Sequence, residues 1–99
     1  MNVVWTYKAE TSFNKIVDFL LQRWDVEITT RFVNNVNHTI ELIAKNPKMF
    51  KISEYDNQSR EAFITKHTTM FYRLLDNTIE IEYFWGNFDD PKKLKGILE

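Results

Sequence analysis

The chain has 99 residues, enough to bury one hydrophobic core and too few for two, so a single domain over residues 1–99 is expected. A 43% hydrophobic share with 15% aromatic residues excludes disorder, and the absence of cysteine excludes disulfides and thiolate metal sites. The formal charge of −1 excludes a global basic field for nucleic acid, so any such role needs a local patch.

No run approaches the ~20 apolar residues of a membrane span. The opening MNVVWTYKAE lacks the basic start and apolar run of a signal peptide, so a cytoplasmic location without membrane contact is expected.

In chain order, Asn2–Thr6 is β-branched and aromatic and reads as a first strand. Phe13, Ile16, Val17, Leu20, Leu21 and Trp24 then recur at helical spacing as one apolar stripe, read as core. Thr11 or Ser12 is a candidate cap, and a start nearer Ala9 fits equally. Asp25 can end this helix and cap the next, which runs from about Val26 to Lys45 and buries Phe32, Val33, Val36, Ile40 and Ile43. Asn46-Pro47 stops it, because the residue before proline is pushed out of helical conformation. So short a connection requires an antiparallel helical hairpin. Its outer face carries Asn34, Asn35, Asn37 and His38 as a solvated surface, and His38 has no second metal ligand at helical spacing.

Met49–Ser53 is a short apolar run read as a second strand, and the polar EYDNQSR after it reads as a loop. Residues 60–91 then read as three antiparallel strands with tight turns. In the middle run Met70, Tyr72 and Leu74 point one way and Phe71, Arg73 and Leu75 the other, which marks an interior strand apolar on both faces. Asp76-Asn77 suits a hairpin turn. In the last run Ile79, Ile81, Tyr83 and Trp85 alternate with Thr78, Glu80 and Glu82, so Trp85 is expected to complete the buried face. Asp89-Asp90-Pro91 opens a terminal helical turn through Lys92 to Leu98. The whole is α+β: an N-terminal strand, then an antiparallel helix hairpin on one face of a mostly antiparallel sheet of four to five strands.

Particular words in this order resemble the RelE/ParE superfamily of toxins from bacterial type II toxin–antitoxin pairs. They are Ala9 early in the first helix, Ile43-Ala44-Lys45-Asn46-Pro47 at the end of the second, Arg60, and His67 ahead of Phe71-Tyr72-Arg73. Ile79-Glu80-Ile81, Phe84-Trp85 and Asp90-Pro91 follow, so the resemblance covers nearly the whole chain. It implies a partner antitoxin that wraps and neutralises the protein. It also implies one of two activities: metal-free cleavage of messenger RNA on the ribosome, as in RelE-like members, or inhibition of DNA gyrase, as in ParE-like members. A third outcome is a decayed member that binds antitoxin and poisons nothing. No cofactor or metal is implied.

Metal-free RNA cleavage needs a base, an acid and cations that hold the phosphate. Arg60 and Arg73 match the family positions that clamp phosphate, and a guanidinium can do so bidentately. Lys66 shares the Arg60 face by strand parity, through Ala62 and Ile64. His67 is the proton-transfer candidate by its ordinary pKa, and Tyr72 is the other. Each has a plainer reading beside it. Arg73 can pair with Glu80 or Glu82 across strands, Arg60 and Lys66 can be solvated charges, His67 a turn residue and Tyr72 core.

The segment before Asp90-Pro91 departs from the family. Relatives often carry His or Arg there, where this chain has Gly86, Asn87, Phe88 and Asp89. None of these supplies a proton donor near neutral pH or a cation, which weakens the nuclease reading. Trp85 and Phe88 can alternatively stack on a base.

Overall fold

Thr6 sets the frame of the molecule, because it ends the first strand, starts the first helix and grips the last strand at once. The structure, a computed structural model, describes residues 1–86. Strand β1 (Asn2–Trp5) leads into helix α1 (Tyr7–Arg23), and helix α2 (Val26–Lys45) follows. Strands β2 (Arg60–Thr65), β3 (Thr68–Leu75) and β4 (Thr78–Gly86) complete a four-stranded sheet of order β1-β4-β3-β2. Among the described residues only the β1–β4 pairing is parallel.

The Thr6 hydroxyl accepts from Ala9 N at 3.0 Å, capping α1, and donates to Glu82 O at 2.9 Å. Its own N–H donates to Ile81 O at 3.0 Å. The helix therefore begins several residues before Thr11 or Ser12, and neither is its cap. Ser12 is instead buried against the sheet. Strand β1 reaches only as far as Ile81 along β4, and among the described residues no strand pairs with β4's later edge. There Ser12 Oγ accepts from Phe84 N at 2.9 Å and donates to Lys8 O at 2.6 Å. A helix hydroxyl thus does the work of a missing strand residue.

Asp25 caps α2 as expected, its Oδ1 accepting from Ile28 N at 2.9 Å. The core packs Ile16 of α1 and Phe32, Val36 and Ile43 of α2 against Met70, Tyr72, Ile79, Ile81 and Phe84. Phe13 anchors the aromatic part, its ring centroid 5.2 Å from Trp5, 5.4 Å from Phe84 and 5.7 Å from Phe32. At the far end of α1 the predicted stripe overreaches, since Leu21 and Trp24 are exposed. Trp24 already lies past the last helical turn, as its C-cap residue. The polar face holding Asn34, Asn35, Asn37 and His38 is exposed throughout.

Two corrections concern the sheet. Met49–Ser53 is not a strand: only Ile52 makes an isolated bridge, to Arg60, before the chain turns through residues 54–59. Asn57 takes φ 57° in that turn, a left-handed conformation that asparagine tolerates. On β4, Phe71 pairs with Tyr83 but Tyr72 pairs with Ile81, so Glu82 is an extra, bulged residue. The bulge switches strand parity. Phe84, not Tyr83 or Trp85, follows Ile79 and Ile81 on the helix-facing side. Tyr83 and Trp85 pack with Phe71 and Tyr55 on the opposite side. The Asp76-Asn77 hairpin turn forms as read, Asp76 taking φ 53°. The terminal helical turn expected from Asp89 to Leu98, and Phe88 with it, lies outside the described residues.

Candidate functional site

Adjacent strand residues point to opposite faces, and this decides how the expected site residues are distributed. Tyr72 faces the helices and Arg73 the other side. Arg60 is the cross-strand partner of Tyr72, so Arg60 shares the helix-facing side with it. Arg60 and Tyr72 come together, and Arg73 lies on the reverse of the sheet.

On the helix-facing side both residues hold the turn that follows α2. Tyr72 Oη donates to Pro47 O at 2.8 Å, and Arg60 Nη1 donates to Phe50 O at 2.7 Å. The Phe50 ring meets the Tyr72 ring edge-on at 6.4 Å between centroids. Burial raises the Tyr72 pKa, and the positive charge of Arg60 and the Phe50 backbone only partly oppose it. Tyr72 is thus a neutral phenol at physiological pH, able to donate a proton and unable to act as a base.

On the reverse face Arg73 sits in a nest of carboxylates. Its Nε lies 2.8 Å from Glu82 Oε1 and an Nη 3.6 Å from Asp56 Oδ2, while Glu80 stands directly opposite on β4. Among the described residues the buried Nε–H is not aligned on any acceptor, so its contact with Glu82 is an ion pair without a well-directed hydrogen bond. Ser59 ties the group together, its Oγ 2.7 Å from Asp56 Oδ2 and 3.1 Å from Glu82 Oε1. For Asp56, burial acts to raise the pKa. Hydrogen bonds from the Gln58 and Ser59 amides and the Ser59 hydroxyl, with Arg73 nearby, outweigh it and leave the pKa lowered. Glu82 is raised: burial dominates over Arg73 and Ser59, and Glu80 and Asp56 push the same way as burial. One cation thus serves two acids of opposite shift, because Asp56 collects three local hydrogen bonds and Glu82 one.

Lys66 and His67 form the turn between β2 and β3, both exposed. The parity that joined Lys66 to Arg60 does not survive, because the β2–β3 register slips between Phe63 and Thr65. At ~3.3 Å rise per residue, the turn is also about 17 Å along the strand from Arg60 and Tyr72. The expected residues therefore occupy three separate places: the Arg60–Tyr72 pair, the Arg73 nest and the Lys66-His67 turn. Among the described residues no group of three His, Asp or Glu side chains is placed to hold a metal ion, and no helix is long and apolar enough to cross a membrane.

Sequence reasoning weighed Glu82 as a partner for Arg73 and missed Asp56 and Ser59. They sit in a polar loop whose composition signals a turn and says nothing of where the turn docks. It also missed a groove of about 700 Å³ between the helix hairpin and the β2–β3 turn, into which His67 and Trp24 face. An apolar stripe that continued to Trp24, past the end of its helix, was the one available sign.

A helix hairpin on one face of a small, mostly antiparallel sheet with a parallel N-terminal strand is the architecture of RelE/ParE-type toxins. The profile described as "ParE toxin of type II toxin-antitoxin system, parDE" matches residues 3–85, and the chain belongs to that family. Solved structures agree on the fold. The chromosomal ParDE TA system from P. aeruginosa superposes with TM-score 0.73 at 18% identity, over 87% of this chain and 95% of that one. The YoeB/ParE toxin from Agrobacterium tumefaciens gives 0.60 at 15%, over 88% and 99%. A chain of the YoeB–YefM complex from Staphylococcus aureus gives 0.61 at 15%, over 86% and 94%. No curated protein sequence matches the chain.

Proposed function

We propose that this chain is a growth-arresting toxin that works by binding DNA gyrase, without chemistry of its own, in the cytoplasm, and that a cognate antitoxin neutralises it. The observation that carries this reading is the position of Arg73. A phosphate clamp needs net positive charge facing the ligand, and the Arg73 guanidinium is shared by Asp56 and Glu82 with Glu80 alongside. A phosphate brought there meets three carboxylates for one cation. Arg60, the other clamp residue, lies on the far side of the sheet. Membership of the ParE family supports the same target, and the occurrence of fold relatives in two-protein complexes supports the antitoxin.

The test is a supercoiling assay with purified gyrase, run in parallel with messenger RNA on programmed ribosomes. The reading expects loss of supercoiling at stoichiometric protein and intact message. Cleaved message with unaffected gyrase overturns it.

Ribosome-dependent RNA cleavage keeps one observation in its favour: Arg60 and Tyr72 are cross-strand neighbours, a cation beside a proton donor. Under that reading Tyr72→Phe abolishes message cleavage. It needs Tyr72 to leave Pro47 O and a base from elsewhere, since the buried phenol is not one.

A further inference from the structure

A sheet edge presents a row of backbone donors and acceptors that pairs with another chain unless something protects it. Among the described residues the β2 edge is protected. Lys51 O accepts from Glu61 N at 3.0 Å, Ile52 bridges Arg60, and the register slip between Phe63 and Thr65 breaks the rest of the row. The β1 edge is different. Asn2 N donates to Asn77 O and Thr6 N to Ile81 O, which fixes the even-numbered residues of the strand as those that face β4. In a parallel ladder the alternate residues face away, so Val3 and Trp5 each turn an N–H and a C=O outward. Among the described residues these four groups have no hydrogen-bond partner. The strand itself, Asn-Val-Val-Trp, holds no charge, no proline and no break in register. Its surroundings are apolar as well: Val4 is 45% exposed on the reverse face, and Tyr7 is 81% exposed where α1 begins.

The spacing of the outward groups is self-complementary. When a second β1 runs antiparallel with Val4 on the two-fold axis, Val3 of each copy lies opposite Trp5 of the other. Each such pair exchanges two hydrogen bonds, so every outward group of both strands is satisfied. We propose that the chain self-associates through β1 in this register, a two-fold dimer that joins the two four-stranded sheets into one. Val4 meets its own copy on the reverse face, a β-branched cross-strand pair. Charge is compatible with this pairing. Glu80, the β4 partner of Val4, stands three strand spacings, or about 14 Å, from its symmetry mate, beyond the ~8 Å screening length. A charged extended segment brings charges that this neutral edge cannot match, whereas a second β1 brings none. Two four-residue strands bury less than the ~1,200–2,000 Å² of stable complexes, so the dimer is weak and forms with rising concentration. The proposal does not depend on the toxin reading above.

The experiment follows sedimentation and amide hydrogen exchange of the full chain over a dilution series. The expected result is a dimer at high concentration, with the Val3 and Trp5 amides exchanging at least about tenfold more slowly there than in the dilute monomer. Val4→Lys sets two ammonium groups face to face on the axis. Lysine is a residue that edge strands tolerate, so this variant should abolish the dimer and leave the rest of the amide spectrum in place. Val4→Glu should do the same, and a mixture of the two folded variants should associate again, because that position meets only its own copy across the axis. A monomer at every concentration, a dimer that survives Val4→Lys, or folded variants that fail to associate on mixing overturns the proposal. So does protection of Val3 and Trp5 that appears only on adding a co-encoded antitoxin to a monomeric chain, which makes the edge a site for a different strand.

Discussion

Arg73 carries a structural load that its sequence position does not announce. Removing one member of a buried ion pair leaves the others desolvated without compensation, at roughly 3–5 kcal/mol for fully buried pairs. Arg73 keeps 28% exposure of its side chain, so a smaller loss of about 2–3 kcal/mol is expected for Arg73→Ala, read as a lowered urea midpoint. A loss of toxicity in that variant would thus follow from unfolding, and its far-UV spectrum must be measured before any functional reading. The acids respond to pH in opposite senses. Asp56 has its folded pKa lowered from 3.8, so its contribution is present above that value and is lost as pH falls through the lower, folded one. Glu82 has its folded pKa raised from 4.5, so its contribution is greatest in acid and falls as pH rises above 4.5. In urea titrations across pH, Asp56→Asn should therefore flatten the acid limb of the stability curve. Glu82→Gln should instead remove a decline on the alkaline side of 4.5. If the acid limb is unchanged in Asp56→Asn, the assignment of the lowered pKa to its local hydrogen bonds is wrong.

Among elements, the joint between α1 and β4 is the part that sequence could not reveal. The helices were legible because their apolar residues recur with a single period and Asp25 and Asn46-Pro47 punctuate them. The edge of β4 was not, because among the described residues its amide at Phe84 is met by a hydroxyl from a helix and not by a strand. Ser12→Ala leaves Phe84 N–H buried without an acceptor, at about 1–3 kcal/mol. It should also speed hydrogen exchange at the Phe84 amide selectively, whereas Thr11→Ala should leave that amide protected. The Glu82 bulge was hidden for a different reason. Tyr83, Phe84 and Trp85 are all aromatic, so the apolar pattern looks continuous whether or not the register slips there. A period-two reading runs straight through such a run and assigns Trp85 to the wrong face. Met49–Ser53 failed more simply: three apolar residues in five suit a strand, but among the described residues only Ile52 finds a bridging partner.

At the scale of the whole molecule, layer order and hairpin topology followed from pattern, and the family followed from words spaced along the chain. The site did not, since it depended on which face each side chain takes: pairing of Arg60 with Tyr72 puts Arg73 on the reverse face, and two register slips moved Lys66 and Trp85 from their expected sides. Arg60 and Arg73 are thirteen residues apart in sequence and read as one clamp, yet the sheet lies between them. The proposed action is by binding and not by cutting RNA. The most direct measurement is induced expression in bacteria with simultaneous mapping of RNA 5′ ends and of replication. A gyrase-binding toxin should stall replication while transcripts keep their native ends, and co-expression of the antitoxin should restore growth. New transcript ends within minutes of induction, with replication still running, would contradict it.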